Sequence, residues 1–172
     1  MEMDKRAFLV LGAESSGTRL LTQQLVGVGC YGDFGHVQRL DTAVPADEPL
    51  IVWRRSLPHG NDHEWPNIGG VIDQLAMDGY EVTAVVLTRD WHCTAISQEG
   101  QHVANVSEAL ANIRAAYREI FFALVSTEIN YELISYEALT TKPQSMRYLL
   151  RRLGLPESPM VSVYDGNRRY YE

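Results

Sequence analysis

The residues best suited to chemistry lie close to the N-terminus, where the apolar run AFLVL leads into GAESSGTR and then into LLTQQL. An apolar strand, a Gly-Ser turn and a helix in direct succession form the layout of a phosphate-binding loop. At such a junction the turn amides and the helix N-terminus point at one spot, and the aligned peptide dipoles favour an anion there. Gly12 and Gly17 permit close backbone approach, and Ser15, Ser16 and Thr18 add hydroxyl donors. The spacing of the two glycines fits the opening of G-x-x-x-x-G-K-[ST], but Thr18 and Arg19 stand where that pattern has Lys and then Ser or Thr. A nucleoside triphosphate would therefore lack its usual lysine, and Arg is not a simple substitute for Lys at such a site. Recognition of phosphate or sulfate is expected; a tight turn that binds nothing is the alternative.

Further charged and titratable groups stand where a strand gives way to a loop. Arg54 and Arg55 close a second apolar run, PLIVWRR, and Arg89 and Asp90 close a third, EVTAVVLTRD. In open α/β sheets the ligand sits beyond the carboxyl ends of the strands, which gathers these positions with Ser15 to Arg19 on one edge. The alternative for Arg89 is a structural ion pair with Asp90 or a neighbour. His59, in the loop SLPHGNDHEWP, has the chemistry of a general base; His36 and Glu14 are weaker candidates. A carboxylate at Glu14 repels an anionic donor unless it faces the acceptor. Cys30 and Cys93 lack metal-site spacing and read as small buried hydrophobes; no metal is expected.

The elements that must position these groups alternate along the chain. Strands are predicted near 7–13, 49–55, 81–90 and 130–135. Helices are predicted over 17–27 and 66–79. A long one follows Asn105, where Val106, Ala109, Leu110, Ile113, Ala116, Tyr117, Ile120, Phe121 and Leu124 follow the spacing of a core-facing helix and Asn105 with Glu108 resembles a capping box. A last helix opens at Pro143 and stops at Gly154 and Pro156. The pattern predicts a three-layer α/β/α sandwich with a mainly parallel sheet, and 172 residues with 45% apolar content suit one domain over 1–172. A net charge of −7 argues against broad nucleic-acid or acidic-membrane binding. No apolar run spans a bilayer and no secretory leader precedes the first strand, so a cytoplasmic protein is expected.

Four features together resemble the sulfotransferase family, whose P-loop nucleoside-triphosphate-hydrolase-like fold uses 3′-phosphoadenosine 5′-phosphosulfate as donor. Ser16-Gly17-Thr18 with Leu20-Leu21 is similar to that family's 5′-phosphosulfate loop. Arg89 and Ser97, eight residues apart in RDWHCTAIS, are similar to its 3′-phosphate element. The stretch YELISYEALTTKPQSMRYLLRRLGLP resembles its C-terminal strand, acidic turn and Pro-started helix. NRRYY, with Arg168 and Arg169, is a loose match to the basic segment that closes over the donor. Two positions depart from the pattern: Ser15 stands where the family usually has Lys or Arg, and Ser56 stands where cytosolic members place a catalytic His.

The resemblance implies in-line transfer of a sulfuryl group to a hydroxyl or amine of a small-molecule or glycan acceptor, releasing adenosine 3′,5′-bisphosphate. Ser15, Ser16, Gly17, Thr18 and Arg19 would hold the 5′-phosphosulfate, Arg89 and Ser97 the 3′-phosphate, and Arg168 and Arg169 would cover it. Arg19 would replace the missing basic residue, Arg54 or Arg55 would share the leaving charge, and His59 would take the acceptor proton. Tyr31, Phe34 and Trp65 lie in segments expected to shape the acceptor pocket. Two other classes stay open: a P-loop nucleotide or nucleoside kinase-like phosphotransferase, and a nucleotide-binding relative without catalysis. Oligomeric state is not legible.

Overall fold

A computed structural model describes residues 5–32, 48–59, 64–101, 103, 105–157 and 164–171. Strand β1 (Arg6–Ala13) runs into helix α1 (Thr18–Gly27); β2 (Leu50–Leu57) and α2 (Ile68–Met77) follow, then β3 (Glu81–Thr88) and α3 (Trp91–Glu99). The long α4 (Val106–Thr127) leads to β4 (Asn130–Ser135), α5 (Tyr136–Thr141) and α6 (Pro143–Arg152), and a short 3₁₀ turn spans Arg168–Tyr170. The four strands form one parallel sheet in the order β2-β1-β3-β4. The fold is thus the expected mixed α/β one with helices on both faces.

Near-continuous apolar strands are what such a sheet requires, because each residue of β1 must meet a helix layer on one side or the other. Ala7, Leu9, Leu11, Ile51, Trp53, Ala84 and Val86 pack with Ile72, Leu75, Ala109, Ile113 and Ile120 of α2 and α4. Their strand neighbours Phe8, Val10, Val52, Val85 and Leu87 turn the other way, onto Leu21 and Leu25 of α1 and Met146, Leu149 and Leu150 of α6. Of the α4 stripe read from the sequence, Ala109, Ile113, Ala116, Ile120 and Leu124 are buried, Val106, Leu110 and Tyr117 are partly buried, and Phe121 is exposed. Gly154, at φ 61°, ends the α6 segment where the sequence places the stop.

The observed strand β3 ends at Thr88, so Arg89 and Asp90 lie just past it; β2 extends to Leu57, so Arg54, Arg55 and Ser56 lie within it. Helix α5 was not read from the sequence, which predicts an acidic turn there; six residues are too few for a periodic signal, and Ser135 caps the helix by accepting the Ala138 N–H at 3.1 Å. No helix among the described residues is long and apolar enough to cross a membrane.

Candidate functional site

The parallel sheet brings the ends of β1, β2 and β3 to one edge, and the loop after β1 sits at its centre. Two residues of that loop take left-handed backbone angles, Ser15 at φ 65° and Gly17 at φ 95°. Gly17 tolerates this at little cost and is needed for a second reason: a Cβ there would meet Cδ2 of Tyr136 at 2.6 Å. Ser15 has a Cβ and is held in a conformation that costs of order 1–3 kcal/mol. Its carbonyl accepts a 2.8 Å hydrogen bond from Nη1 of Arg89, and the carbonyl of Glu14 accepts one at 2.7 Å from Nε2 of Gln98. The loop is therefore anchored from β3 and α3 on one side, and by Glu14 N–H donating to Leu57 O at 3.0 Å on the other.

Gly17 is the N-cap of α1 and offers no side chain to its first amides, whereas Asn67, Asp90, Asn105 and Ser135 cap the helices they precede. The first-turn amides of α1 are thus left for a ligand. The loop hydroxyls do not all point outward. Ser16 is fully buried, its N–H donates to Ala13 O at 3.0 Å, and its Oγ has no hydrogen-bond partner among the described residues. That Oγ lies 2.5 Å from where a Cβ on Gly12 would stand, so it is turned towards β1. Beneath the loop, burial pushes the Tyr117 phenol up to about 12, and this neutral hydroxyl donates to Leu87 O at 2.9 Å. Thr18 is buried and Arg19 is exposed on the first turn of α1.

Arg89 is 8% exposed, and among the described residues neutral groups hold it. Nε donates to Oδ1 of Asn167 at 2.7 Å, Nη1 donates to Ser15 O, and the guanidinium lies 4.6 Å from the Tyr136 ring centre and 5.6 Å from that of Tyr170. The expected alternative of an ion pair with Asp90 is not what forms. Asp90 instead caps α3 by accepting the Cys93 N–H at 2.9 Å, the bond that does most to hold its carboxyl below the usual range. Ser97 is 6% exposed on α3, two turns beyond Arg89. Arg168 and Arg169 are exposed in the 3₁₀ turn beside Asn167; the Arg169 guanidinium stacks at 4.6 Å on the Tyr170 ring and donates to its hydroxyl.

On the other side of the loop a carboxylate, a hydroxyl and an imidazole meet. Ser56 Oγ donates to Glu14 Oε2 at 2.5 Å and lies 3.3 Å from Nδ1 of His59, while Ser56 N–H donates to that same Nδ1 at 3.2 Å. Nδ1 therefore accepts, which leaves Nε2 as the ring nitrogen that carries the hydrogen. His59 is 2% exposed, and its backbone bridges to Glu64. The expectation that His59 takes the acceptor proton meets a physical obstacle: the nitrogen facing Ser56 is already engaged and the ring is buried. Glu14 is the half-buried member of the cluster.

Arg54 and Arg55 point to opposite faces of β2, as consecutive strand residues must. Arg55 is 1% exposed, donates to Arg54 O at 2.8 Å and faces the Trp53 ring at 5.8 Å; burial, with the Arg54 charge second, lowers its pKa to about 10. It is an interior group here, not one at the surface where a donor would approach. Both cysteines are buried and free, and burial drives Cys30 up to about 12, in keeping with a packing role. Tyr31 and Trp65 are exposed; Phe34 and His36 lie outside the described residues. Asn167, Tyr136 and Gln98 were not singled out from the sequence. The rule that strand ends carry function points at Tyr136, directly after β4, but nothing local marks the other two.

No family model matches the chain, and no curated protein matches it in sequence. Among solved structures, a sulfotransferase domain from the curacin biosynthetic pathway matches at a TM-score of 0.65 with 12% identity, covering 90% of this chain and 76% of that one. At that identity the likeness concerns the backbone: the chain has a sulfotransferase-like α/β fold.

Proposed function

We propose that the protein is a sulfotransferase that moves a sulfuryl group from 3′-phosphoadenosine 5′-phosphosulfate to a hydroxyl or amine. The observation that carries this reading is Arg89, a buried guanidinium beside an uncapped helix N-terminus that no described carboxylate neutralises. Burying a cation without a counter-ion is costly, and an anionic ligand supplies what is missing. The loop amides would receive the 5′-phosphosulfate, with Thr18 and Arg19 at the first turn of α1. Arg89, with Ser97, would receive the 3′-phosphate, and Arg168 and Arg169 would approach from the C-terminal segment. The fold likeness to a sulfotransferase domain supports the same reading.

In the transfer the sulfur–oxygen bond to the 5′-phosphate breaks as a new one forms to the acceptor oxygen or nitrogen. The acceptor proton passes to the protein, and the electron pair leaves on adenosine 3′,5′-bisphosphate. Little covalent work falls to the side chains; positioning and charge stabilisation do most of it. We assign the proton to Glu14, with Ser56 donating to its carboxylate and His59 fixing Ser56 through Nδ1. An open groove of about 610 Å³ begins at Leu57, next to Ser56, and continues past Trp65 and Ile68 to Phe122, which suits the apolar part of an acceptor.

Calorimetric titration of wild type and Arg89→Ala with adenosine 3′,5′-bisphosphate and with ATP, each with and without Mg²⁺, tests the reading. Metal-independent preference for the bisphosphate, lost in the variant, is expected. Mg²⁺-dependent preference for ATP would instead favour a kinase-like phosphotransferase.

A further inference from the structure

The groups that hold Arg89 are as informative as its burial. Asn167 lies 78 residues away on the C-terminal segment, is 3% exposed, and uses both ends of its amide. Its Oδ1 accepts from Arg89 Nε at 2.7 Å and its Nδ2 donates to Glu137 Oε1 at 2.8 Å. The amide orientation follows from chemistry, because a guanidinium only donates and a carboxylate only accepts. Glu137 Oε1 also accepts the Asp90 N–H at 2.8 Å, so this nearby carboxylate is engaged by amides rather than by the guanidinium. The segment is seated independently by Gly166 N–H donating to the Tyr136 hydroxyl at 2.9 Å. An aspartate at 167 would set a carboxylate against the Arg89 charge and would lose the donor that Nδ2 offers Glu137. Asparagine fixes the guanidinium and leaves its charge, with the remaining Nη hydrogens, for a ligand.

We infer that Asn167 is a positioning residue that orients Arg89 without neutralising it, and thereby sets selectivity for a nucleotide carrying a 3′-phosphate over one that lacks it. The inference rests on the reading of Arg89 as a 3′-phosphate group and adds a determinant to it. It makes the C-terminal segment part of ligand discrimination through a neutral side chain, separately from its basic ones.

The test is the ratio of affinities for adenosine 3′,5′-bisphosphate and adenosine 5′-monophosphate, measured by calorimetry on the full chain as wild type, Arg89→Ala, Asn167→Ala and Asn167→Asp. The ratio is expected to fall about tenfold in Asn167→Ala and on the order of a hundredfold in Asn167→Asp, with monophosphate affinity kept. Should Asn167→Ala not accumulate folded, wild type against the isosteric Asn167→Asp decides alone. An Asn167→Asp ratio within twofold of wild type, or equal weakening of both ligands, overturns the inference while leaving the Arg89 reading intact. A wild-type ratio near one, or an Arg89→Ala ratio equal to that of wild type, overturns the Arg89 reading and the inference with it.

Discussion

The two flanks of the loop after β1 are built from groups of opposite charge. On the β3 side a guanidinium is buried among neutral partners, Asn167, Ser15 O and two aromatic rings, so its charge persists. On the β2 side a half-buried carboxylate, Glu14, accepts a hydrogen bond from the Ser56 hydroxyl, and the Ser56 N–H donates to His59. In the proposed reading the retained cation would supply ligand affinity on the first flank and the positioned carboxylate proton transfer on the second, with the loop amides shared between them.

The largest expected effect breaks the second flank. Glu14→Gln should lower the rate of transfer by about 10²–10⁴-fold while adenosine 3′,5′-bisphosphate affinity stays within a few-fold of wild type, measured by single-turnover kinetics beside calorimetry. Arg89→Ala should do the reverse, weakening bisphosphate binding by on the order of a hundredfold through the loss of charge-assisted hydrogen bonds. If either variant lost both properties together, the division between flanks would be wrong.

Arg55 sharpens the comparison, because it is as buried as Arg89 but lies within a strand and under the repulsion of Arg54. Arg55→Met should leave bisphosphate affinity unchanged by calorimetry and remove the part of the pH dependence of stability near and above pH 10 that this group contributes. The sign with pH follows from its folded value of about 10, below the ordinary arginine value. Between the two the unfolded chain binds the extra proton, so wild-type stability gains from this group as pH rises through about 10 and beyond; at neutral pH the penalty is fully present. In denaturant melts, wild type should therefore gain stability relative to Arg55→Met as pH rises above 10. The smallest effect is expected for Asp90→Asn, which keeps the cap on α3. Bisphosphate affinity should hold, and the stability change should stay under about 1 kcal/mol by denaturant melts. The Asp90 carboxyl, held low by the Cys93 N–H, contributes stability that is present above the unfolded carboxyl value and lost as pH falls through its own lower one.

How much of this was legible follows from the range of each interaction. The strands, the α4 stripe and the loop could be read because apolar runs, a 3.6-residue period and Gly-Ser turns are local signals. The rule of strand ends expects Ser15, Arg55 and Arg89 on one edge, and of these Ser15 and Arg89 meet, through the 2.8 Å bond from Nη1 to the Ser15 carbonyl. It could not tell that Arg55 is fully buried within β2 while Arg89 reaches the loop, since one residue of offset on a strand reverses the face. Asn167 was invisible for a different reason: its role depends on a contact across 78 residues. His59 was selected for its chemistry, whereas the nitrogen it presents to Ser56 is set by a backbone N–H that composition does not show.

The central claim is that one anionic ligand bridges the loop and Arg89. A crystal structure with adenosine 3′,5′-bisphosphate tests it most directly. The account predicts the 5′-phosphate on the amides at Gly17 and Thr18 and the 3′-phosphate within hydrogen-bond distance of Arg89, with Asn167 still on Nε. A bisphosphate bound elsewhere, or a 3′-phosphate turned to solvent with Arg89 untouched, would contradict it.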